Sequence, residues 1–409
     1  MSRGAERSGV TWLDVPRDDP FGVHNLPYGV FDEGCVGVRV GQHVLDLTGA
    51  EAGGLLDAGG SFETASLNAF MAAGRPMWTA IRRRLVELLT DERHRAAASP
   101  HLRRVDGVRL RLPFQVADFV DFYSSAEHAS NLGKLLRPGQ PPLLPNWRHL
   151  PIGYHGRSGT VVVSGTDIVR PSGQRKPPDA DLPVFGPSVR LDIEAEVGFV
   201  VGRPSMLGQP LSTADFAEHV FGVVLVNDWS ARDIQAWEYQ PLGPFLGKSF
   251  ATTISPWVVP LDALAAARVP APPQEPPVLP YLREADRAGY DIRLEVTWNG
   301  TLVSRPPFAG LYWTPPQQLA HLTANGARVR TGDLFASGTV SGPRRDQVGS
   351  FMELSWGGTE PVTLAGGVTR TFLEDGDTVT ITATAPGPDG LMVGFGEATG
   401  RVIGSLAAR

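Results

Sequence analysis

The stretch FGVVLVNDWSARDIQAWEYQPLGPFLGKSFATT, residues 221–253, decides how this chain is read. Its first six residues form an unbroken apolar run, the pattern of a strand buried on both faces. Asp228 closes that run, and a carboxylate at the end of a buried strand is where sites are commonly built. Ser230 and Asp233 fit an S-x-x-D capping box, which predicts that a short helix starts there. On that helix Arg232, Gln235 and Tyr239 stand at i, i+3 and i+7 and share one face. A cation, an amide and a phenol in a row suit an anionic, oxygen-rich substrate. The plain alternative is an amphipathic helix with a polar outer face, Ile234 and Trp237 lying on its other side. Lys248 stands out because only Lys134, Lys176 and Lys248 are lysines among 37 basic residues. A composition so weighted to arginine keeps a lysine where a compact ammonium able to release a proton is useful; a solvated surface lysine is the ordinary alternative. GPFLGKSFATT has the look of a phosphate loop but not its spacing, since Leu242 stands where the first glycine is needed and Pro244 interrupts. Its expected part is to present Lys248 and the backbone near Thr252.

Working outward, LDIEAEVGFVV (residues 191–201) reads as a strand within 190–201. Glu194 and Glu196 are two apart, so both carboxylates project from one face. Two like charges that close repel, and a divalent cation is the simplest remedy; the alternative is a solvent-facing stripe. Asp121, in DFVDFYSSAEH, interrupts another apolar–aromatic stretch. Four carboxylates (Asp121, Glu194, Glu196, Asp228) without a matching Cys/His cluster point to a hard ion, Mg²⁺ or Ca²⁺. Among nine histidines, His128 is the best general-base candidate, seven residues after Asp121. NWRHLPIGYHGR (residues 146–157) is a second dense polar–aromatic stretch, with His149, Tyr154 and His155. Those two histidines could pair on a metal, although the carboxylates already suffice.

The 409 residues have room for two domains. Residues 1–112 read as a small separate unit. Alternation over 35–47 predicts half-buried strands about a turn at Gly41, and the pattern turns helical from Phe62. Leu67, Phe70 and Met71 share one face; Trp78, Ile81, Leu85 and Leu88 share another after Pro76, with Arg82, Arg83 and Arg84 on a solvated side. Residues 103–113 read as a strand leading into the second domain, residues 113–409. Its strands are expected at 160–164, 190–201, 221–226, 291–298, 378–385 and 391–396, with proline-rich surface loops at 170–187 and 269–281. Many strands and few helices indicate a β-rich α+β fold and argue against Rossmann or TIM architecture. A net charge of −6 with no basic stripe argues against a nucleic-acid partner. Cys35 is the single cysteine, so no intrachain disulfide forms, and a reducing cytoplasm suits the chain. MSRGAERSGVTWLDVP has no apolar core of signal-peptide length, and no run approaches a membrane span.

DFYSSAEHA, LLPNWRHLPIGYHGR, VNDWSARDIQAWEYQPLGPFLGKSFATTISPWVVP, SGTVSG, MELSWGGT and, near the start, NLPYGVF closely resemble the fumarylacetoacetase family. The likeness runs from about Trp12 nearly to the C-terminus. The long central block is specific to the fumarylacetoacetases within a wider superfamily of acylpyruvate hydrolases and decarboxylases. The resemblance implies a homodimer with a small SH3-like N-terminal β-barrel and a larger mixed β-sandwich or roll as catalytic domain. It implies hydrolysis of the carbon–carbon bond of 4-fumarylacetoacetate to fumarate and acetoacetate, the last step of tyrosine and phenylalanine catabolism. Carried over by position, it makes Asp121, Glu194, Glu196 and Asp228 the metal ligands, His128 the base and Glu353 the carboxylate that orients it. Arg232, Gln235 and Lys248 match groups around the developing oxyanion and leaving group. Tyr123, Arg137, Tyr154, Gln235, Tyr239 and Thr339 match substrate contacts, and a second cation, Mg²⁺, is implied beside Asp228, Lys248 and Thr252. Two places depart from the family pattern: Ala251 stands where the motif has Gly, and the loop 138–142 differs. Ala251 strains the backbone only where positive φ is needed. The rival readings are a hydrolase of another diketo acid, of acylpyruvase type, and a catalytically silent metal-binding module. His128, Glu353 and Lys248 together argue against the second.

Overall fold

The computed structural model describes residues 11–405. Residues 1–10, the larger part of the stretch inspected for a signal segment, lie outside the described residues. The apolar run opens into the strand Val220–Asp228, nine residues buried without exception. It has no polar alternation because both its faces are covered. Val223 and Leu225 point into one core, while Val224 and Val226 point into another. Each such side chain contributes about 1.5–3 kcal/mol on burial.

This strand lies inside a mixed eight-stranded sheet. The order is Gly153–His155, Asp118–Phe122, Asp333–Ala336, Ala195–Val201, Val220–Asp228, Thr252–Ile254 and Val161–Val163, with Val259–Pro260 paired further along Val220–Asp228. Glu196 stands opposite Val226, Asp228 opposite Thr252, and Asp121 opposite Ala336. The register therefore gathers three carboxylate-bearing positions at one end of the sheet. A second sheet, Thr301–Ser304, Arg293–Trp298, Thr378–Pro386, Met392–Ile403 and Ile168–Val169, packs on one face. The other face packs on the N-terminal part: a four-stranded antiparallel meander (Tyr28–Phe31, Cys35–Val40, His43–Asp46, Leu102–Arg104) and the helices Asn68–Ala72 and Arg75–Thr90. Trp78, Ile81, Leu85 and Leu88 form the buried stripe of the longer helix, as their spacing predicts.

Several expectations are corrected. The strand expected over 190–201 is broken: Leu191–Asp192 pairs with Ser230–Ala231, and the chain rejoins the main sheet only at Ala195. Residues 103–113 are not one strand, since Leu102–Arg104 gives way to a 3₁₀ turn at Val105–Gly107. The stretch 170–187 is not only loop; Ser172–Arg175 and Val184–Pro187 form a hairpin. Arg82 and Arg84 are not free in solvent. Arg82 donates to the carbonyls of His24 and Asn25, and Arg84 to that of Leu55, because a loop crosses the helix's polar side. No helix among the described residues is long and apolar enough to cross a membrane.

Candidate metal and catalytic site

At the gathered end of the sheet, oxygens of Asp121, Glu194, Glu196 and Asp228 all lie within 4.8 Å of one another. Although Glu194 precedes its strand rather than sitting in it, its carboxylate still joins that of Glu196. Both oxygens of Glu196 and Oδ1 of Asp121 are buried without a hydrogen-bond partner. An ionised carboxylate in that state is costly unless a cation meets it. Burial pushes Glu196 well above the ordinary carboxylate range, and the neighbouring acids add to it. Burial likewise pushes Asp121 up to about 6, even with the Arg157 guanidinium opposing it. An all-oxygen donor set with orphaned lone pairs fits a hard divalent cation.

Three buried cations balance the rest of the cluster. Arg232 donates Nη1 to Glu194 at 2.8 Å and Nε to Asp192 at 2.8 Å. Lys248 contacts Glu194 Oε2 and lies 2.8 Å from Asp228 Oδ2. Burial favours the neutral acid at Glu194, but Lys248, Arg232 and His128 outweigh it and hold this carboxyl below its ordinary range. Burial also pulls Lys248 down, and Asp228 and Glu194 reverse that, leaving its pKa raised. The structure holds Lys248 as a paired ammonium, the protonated form that a proton donor has to be in. Thr252 Oγ1 donates to Asp228 at 2.9 Å, and Ala251 is not among the residues with left-handed backbone, so its methyl causes no strain.

The third cation, Arg157, was not singled out in the sequence. It follows Gly156 in the aromatic stretch 146–157 and takes a left-handed φ of 57°. Its guanidinium lies against the rings of Phe119 and Tyr154, 4.7 and 4.8 Å from their centroids. From there Nη2 reaches Asp121 and Asp228, each at 2.8 Å. The only signal available was a cation inside a dense polar–aromatic stretch.

His128 lies in the first turn of the helix Ala126–Leu136, whose N-cap Ser125 accepts from the His128 amide. Nδ1 of His128 is 2.7 Å from Glu353 Oε2. Glu353 sits on the short helix Phe351–Leu354 and also accepts from Asn131, Ser341 and Ser350. Burial would raise Glu353, but His128 and these donors hold it lowered. An acceptor at Nδ1 keeps the proton there and leaves Nε2 free to accept one. The site opens into a cavity of about 220 Å³ bordered by Tyr123, His128, Tyr154, Arg232, Gln235 and Lys248. Asp121, Glu194 and Thr339 complete the side of the wall that concerns chemistry. Gly338, at φ 75°, lets the chain run against the Phe122 carbonyl, which a Cβ would approach to 2.0 Å, and so brings Thr339 to that wall.

Not every expected residue lines the cavity. Arg137 donates instead to the Pro142 carbonyl at 3.2 Å. The Tyr239 hydroxyl, at the end of helix Arg232–Glu238, accepts from Gln240 at 3.0 Å. The expected capping box does not form: Ser230 is taken into a strand pair and donates to the Asp228 carbonyl, while Asp233 accepts from Ser188 and Val189. His155 meets Asp118 rather than a metal cluster, and His149 is exposed. A larger cavity, about 550 Å³, lies beside the helix Arg75–Thr90. Size does not mark the site here; the convergence of buried charges does.

Residues 118–403 match the family described as Fumarylacetoacetate (FAA) hydrolase C-terminal, and residues 24–113 match Fumarylacetoacetase N-terminal. The chain is 45% identical over 420 residues to the fumarylacetoacetase of Homo sapiens, a match covering 97% of this chain and 99% of the relative. It is 45% identical over 416 residues to that of Arabidopsis thaliana, covering 97% and 98%. Among solved structures it is similar to a fumarylacetoacetate hydrolase from Exiguobacterium antarcticum, with a TM-score of 0.55 at 19% identity, covering 93% of this chain and 99% of that one.

Proposed function

The chain belongs to the fumarylacetoacetase family, and from that premise we propose that it hydrolyses the carbon–carbon bond of 4-fumarylacetoacetate to fumarate and acetoacetate. The observation that carries this reading is the His128–Glu353 pair, 2.7 Å apart, facing a cavity walled by Arg232 and Lys248 beside four carboxylates. His128 Nε2 takes a proton from water, and Glu353 steadies the imidazolium that forms. Arg232 is tied down at Nε and Nη1, while Nη2 is buried without a partner and free to donate to the oxyanion. One such donor is worth about 3 kcal/mol. Gln235 sits one helical turn on and adds a second polar group. The water oxygen bonds to the carbonyl carbon, and collapse of that tetrahedral centre breaks the carbon–carbon bond, its electron pair leaving as the enolate. Lys248, held charged, gives the enolate carbon a proton, and the proton released by His128 to solvent balances the one Lys248 takes back. Asp121, Glu194, Glu196 and Asp228 would hold a divalent cation, Ca²⁺ or Mg²⁺, which would supply Lewis-acid stabilisation when bound.

Tyr123, Tyr154 and the unpaired hydroxyl of Thr339 are the substrate contacts in the cavity. Arg137 and Tyr239 end the helices that carry His128 and Arg232. We read them as reaching the substrate's carboxylates when those helix ends draw inward. A second cation belongs beside Asp228 and Thr252, where the Lys248 ammonium supplies the charge in this structure. We read the N-terminal meander as the SH3-like unit, the chain as a cytoplasmic homodimer, and a diketo acid as its only partner besides metal and its own copy. The dimer is supported by apolar surface near the site: Leu182, Phe185, Leu242 and Phe245 are exposed on the hairpin against helix Arg232–Glu238 and on the loop after it.

The test is the near-ultraviolet absorbance of fumarylacetoacetate, followed with metal-free and metal-restored protein. Absorbance falls only with Mg²⁺ or Ca²⁺ restored, and acetylpyruvate turns over far more slowly. A flat trace under all conditions refutes the activity. Full turnover by metal-free protein refutes the Lewis-acid part alone.

A further inference from the structure

Asp192 lies between the two halves of this site and contacts neither cavity nor metal cluster. It is wholly buried. Its Oδ1 accepts from the backbone N–H of Phe351 at 2.7 Å and from that of Ile193 at 2.8 Å. Its Oδ2 accepts from Arg232 Nε at 2.8 Å and from the Met352 N–H at 3.0 Å. Four donors on two oxygens satisfy the carboxylate fully. Two of those donors open the short helix that carries Glu353; a third is the side chain of the oxyanion donor.

We propose that Asp192 is a positioning residue that fixes Arg232 and the Glu353 helix in one frame. Through it, the free Nη2 of Arg232 and the free Nε2 of His128 keep a set relation to each other. This rests on reading Arg232 as the oxyanion donor and His128 as the base. The geometry also explains the break in the strand over 190–201. Leu191–Asp192 leaves the main sheet to pair with Ser230–Ala231, which brings the Asp192 carboxylate next to Arg232. The helix has a second anchor: Phe351 stacks on Trp298 at 4.0 Å and 9°. Arg232 keeps Glu194 and Gln235 as partners. Removing the Asp192 charge therefore loosens the frame without dismantling the fold.

Asp192→Asn keeps the side chain's shape, keeps an acceptor for the Phe351 N–H, and turns an N–H toward Arg232 Nε, which expels the guanidinium from its seat. The experiment is a double-mutant cycle of Asp192→Asn with Arg232→Met, reading kcat, KM and the calcium-induced rise in melting temperature. Arg232→Met alone lowers kcat by about 100-fold or more. Asp192→Asn lowers it by about 10- to 100-fold, the usual cost of an outer partner, with KM within about threefold and the calcium shift retained. The double variant is slower than Arg232→Met by less than the Asp192→Asn factor, because the part of that factor carried by Arg232 is already lost and only the tie to the Glu353 helix is left to weaken. Wild-type kcat in Asp192→Asn with a crippled Arg232→Met overturns the proposal and leaves the donor reading intact. Wild-type kcat in Arg232→Met removes the donor reading itself. Losses that multiply in the double variant overturn the coupling. Asp192→Ser, smaller and also an acceptor, gives the same readouts if Asp192→Asn does not fold.

Discussion

One strand, Asp118–Phe122, carries two carboxylates three residues apart, and each meets a basic partner from the end of the neighbouring strand Gly153–His155 or just beyond it. Asp118 sits 2.7 Å from His155 Nδ1, whose side chain is 61% exposed. Asp121 sits 2.8 Å from Arg157 Nη2, whose side chain is 3% exposed. The distances are equivalent; the partners differ, an imidazole charged only when protonated against a permanently charged guanidinium, and so do their surroundings. Water screens the first contact, where ion pairs contribute about 0–1 kcal/mol. The second has lost its water, so each charge depends on its neighbours, and removing one partner strands the other. Burial, rather than proximity, turns an ion pair into part of a site, because only the buried pair lies among carboxylates that a cation can still complete.

The His128–Glu353 pair takes the comparison to its extreme, with side chains 3% and 0% exposed. His128→Ala lowers kcat by about 10²–10⁴-fold, the usual contribution of a positioned base. The calcium-induced rise in melting temperature remains, since His128 does not belong to the carboxylate set. Activity within threefold of wild type sinks the base assignment. Next in size is Arg157→Met. In metal-free protein it leaves Asp121 without its cation and takes one of two from Asp228, which keeps Lys248 at 2.8 Å, and it costs about 3–5 kcal/mol of stability. Calcium returns part of that loss by placing positive charge among the same carboxylates. Urea unfolding with and without calcium checks it; an unchanged midpoint in metal-free Arg157→Met means that the buried pair is not needed for charge balance.

What the sequence disclosed divides along similar lines. Val220–Asp228 was legible because a strand covered on both faces leaves an unbroken apolar run. The four carboxylates were legible as a set because each interrupts an apolar stretch, which is rare without a reason. Glu353 emerged only through family resemblance, since its partner His128 is 225 positions away in the chain. Arg157 was hidden because a left-handed turn aims it, and no periodicity describes such a turn. Asp192 was hidden because three of its four donors lie 40 to 160 residues further on. The capping box was misread since Ser230 and Asp233 found tertiary partners that outcompeted the local bonds. Local chemistry is written locally; the positioning of buried charge is not.

The third expected effect is smaller and depends on pH. Burial pushes Asp121 to about 6 and raises Glu196 well above the ordinary carboxylate range. An acid raised on folding holds its proton more tightly in the native state. The stability it gives metal-free protein is present at low pH and is lost as pH climbs from the ordinary carboxylate range through about 6. A bound cation needs both acids ionised, so calcium binding displaces their protons and tightens by up to about tenfold per pH unit for each proton displaced. Melting curves at pH 5, 6 and 7 show a gap between calcium-loaded and metal-free protein that widens with pH. A constant gap breaks the link between burial and metal binding.

The smallest effect belongs to the exposed member of the comparison. Asp118→Asn keeps an oxygen for the Phe119 N–H, which Asp118 Oδ1 accepts at 2.8 Å, and its amide nitrogen can donate to His155. Arg330, the other nearby cation, is 4.0 Å from Asp118 but 3.3 Å from Asp333, so it retains its closer partner. Every group Asp118 touches therefore keeps either water or another contact. The expected change is within about 0.5 kcal/mol in urea unfolding, with kcat and calcium binding unaltered. A loss near that of Arg157→Met, or a fall in kcat, would mean that the two ends of the strand are coupled through its backbone. The contrast between Asp118 and Asp121 would then lie in the strand as a whole, and exposure would no longer explain why one end holds a site and the other does not.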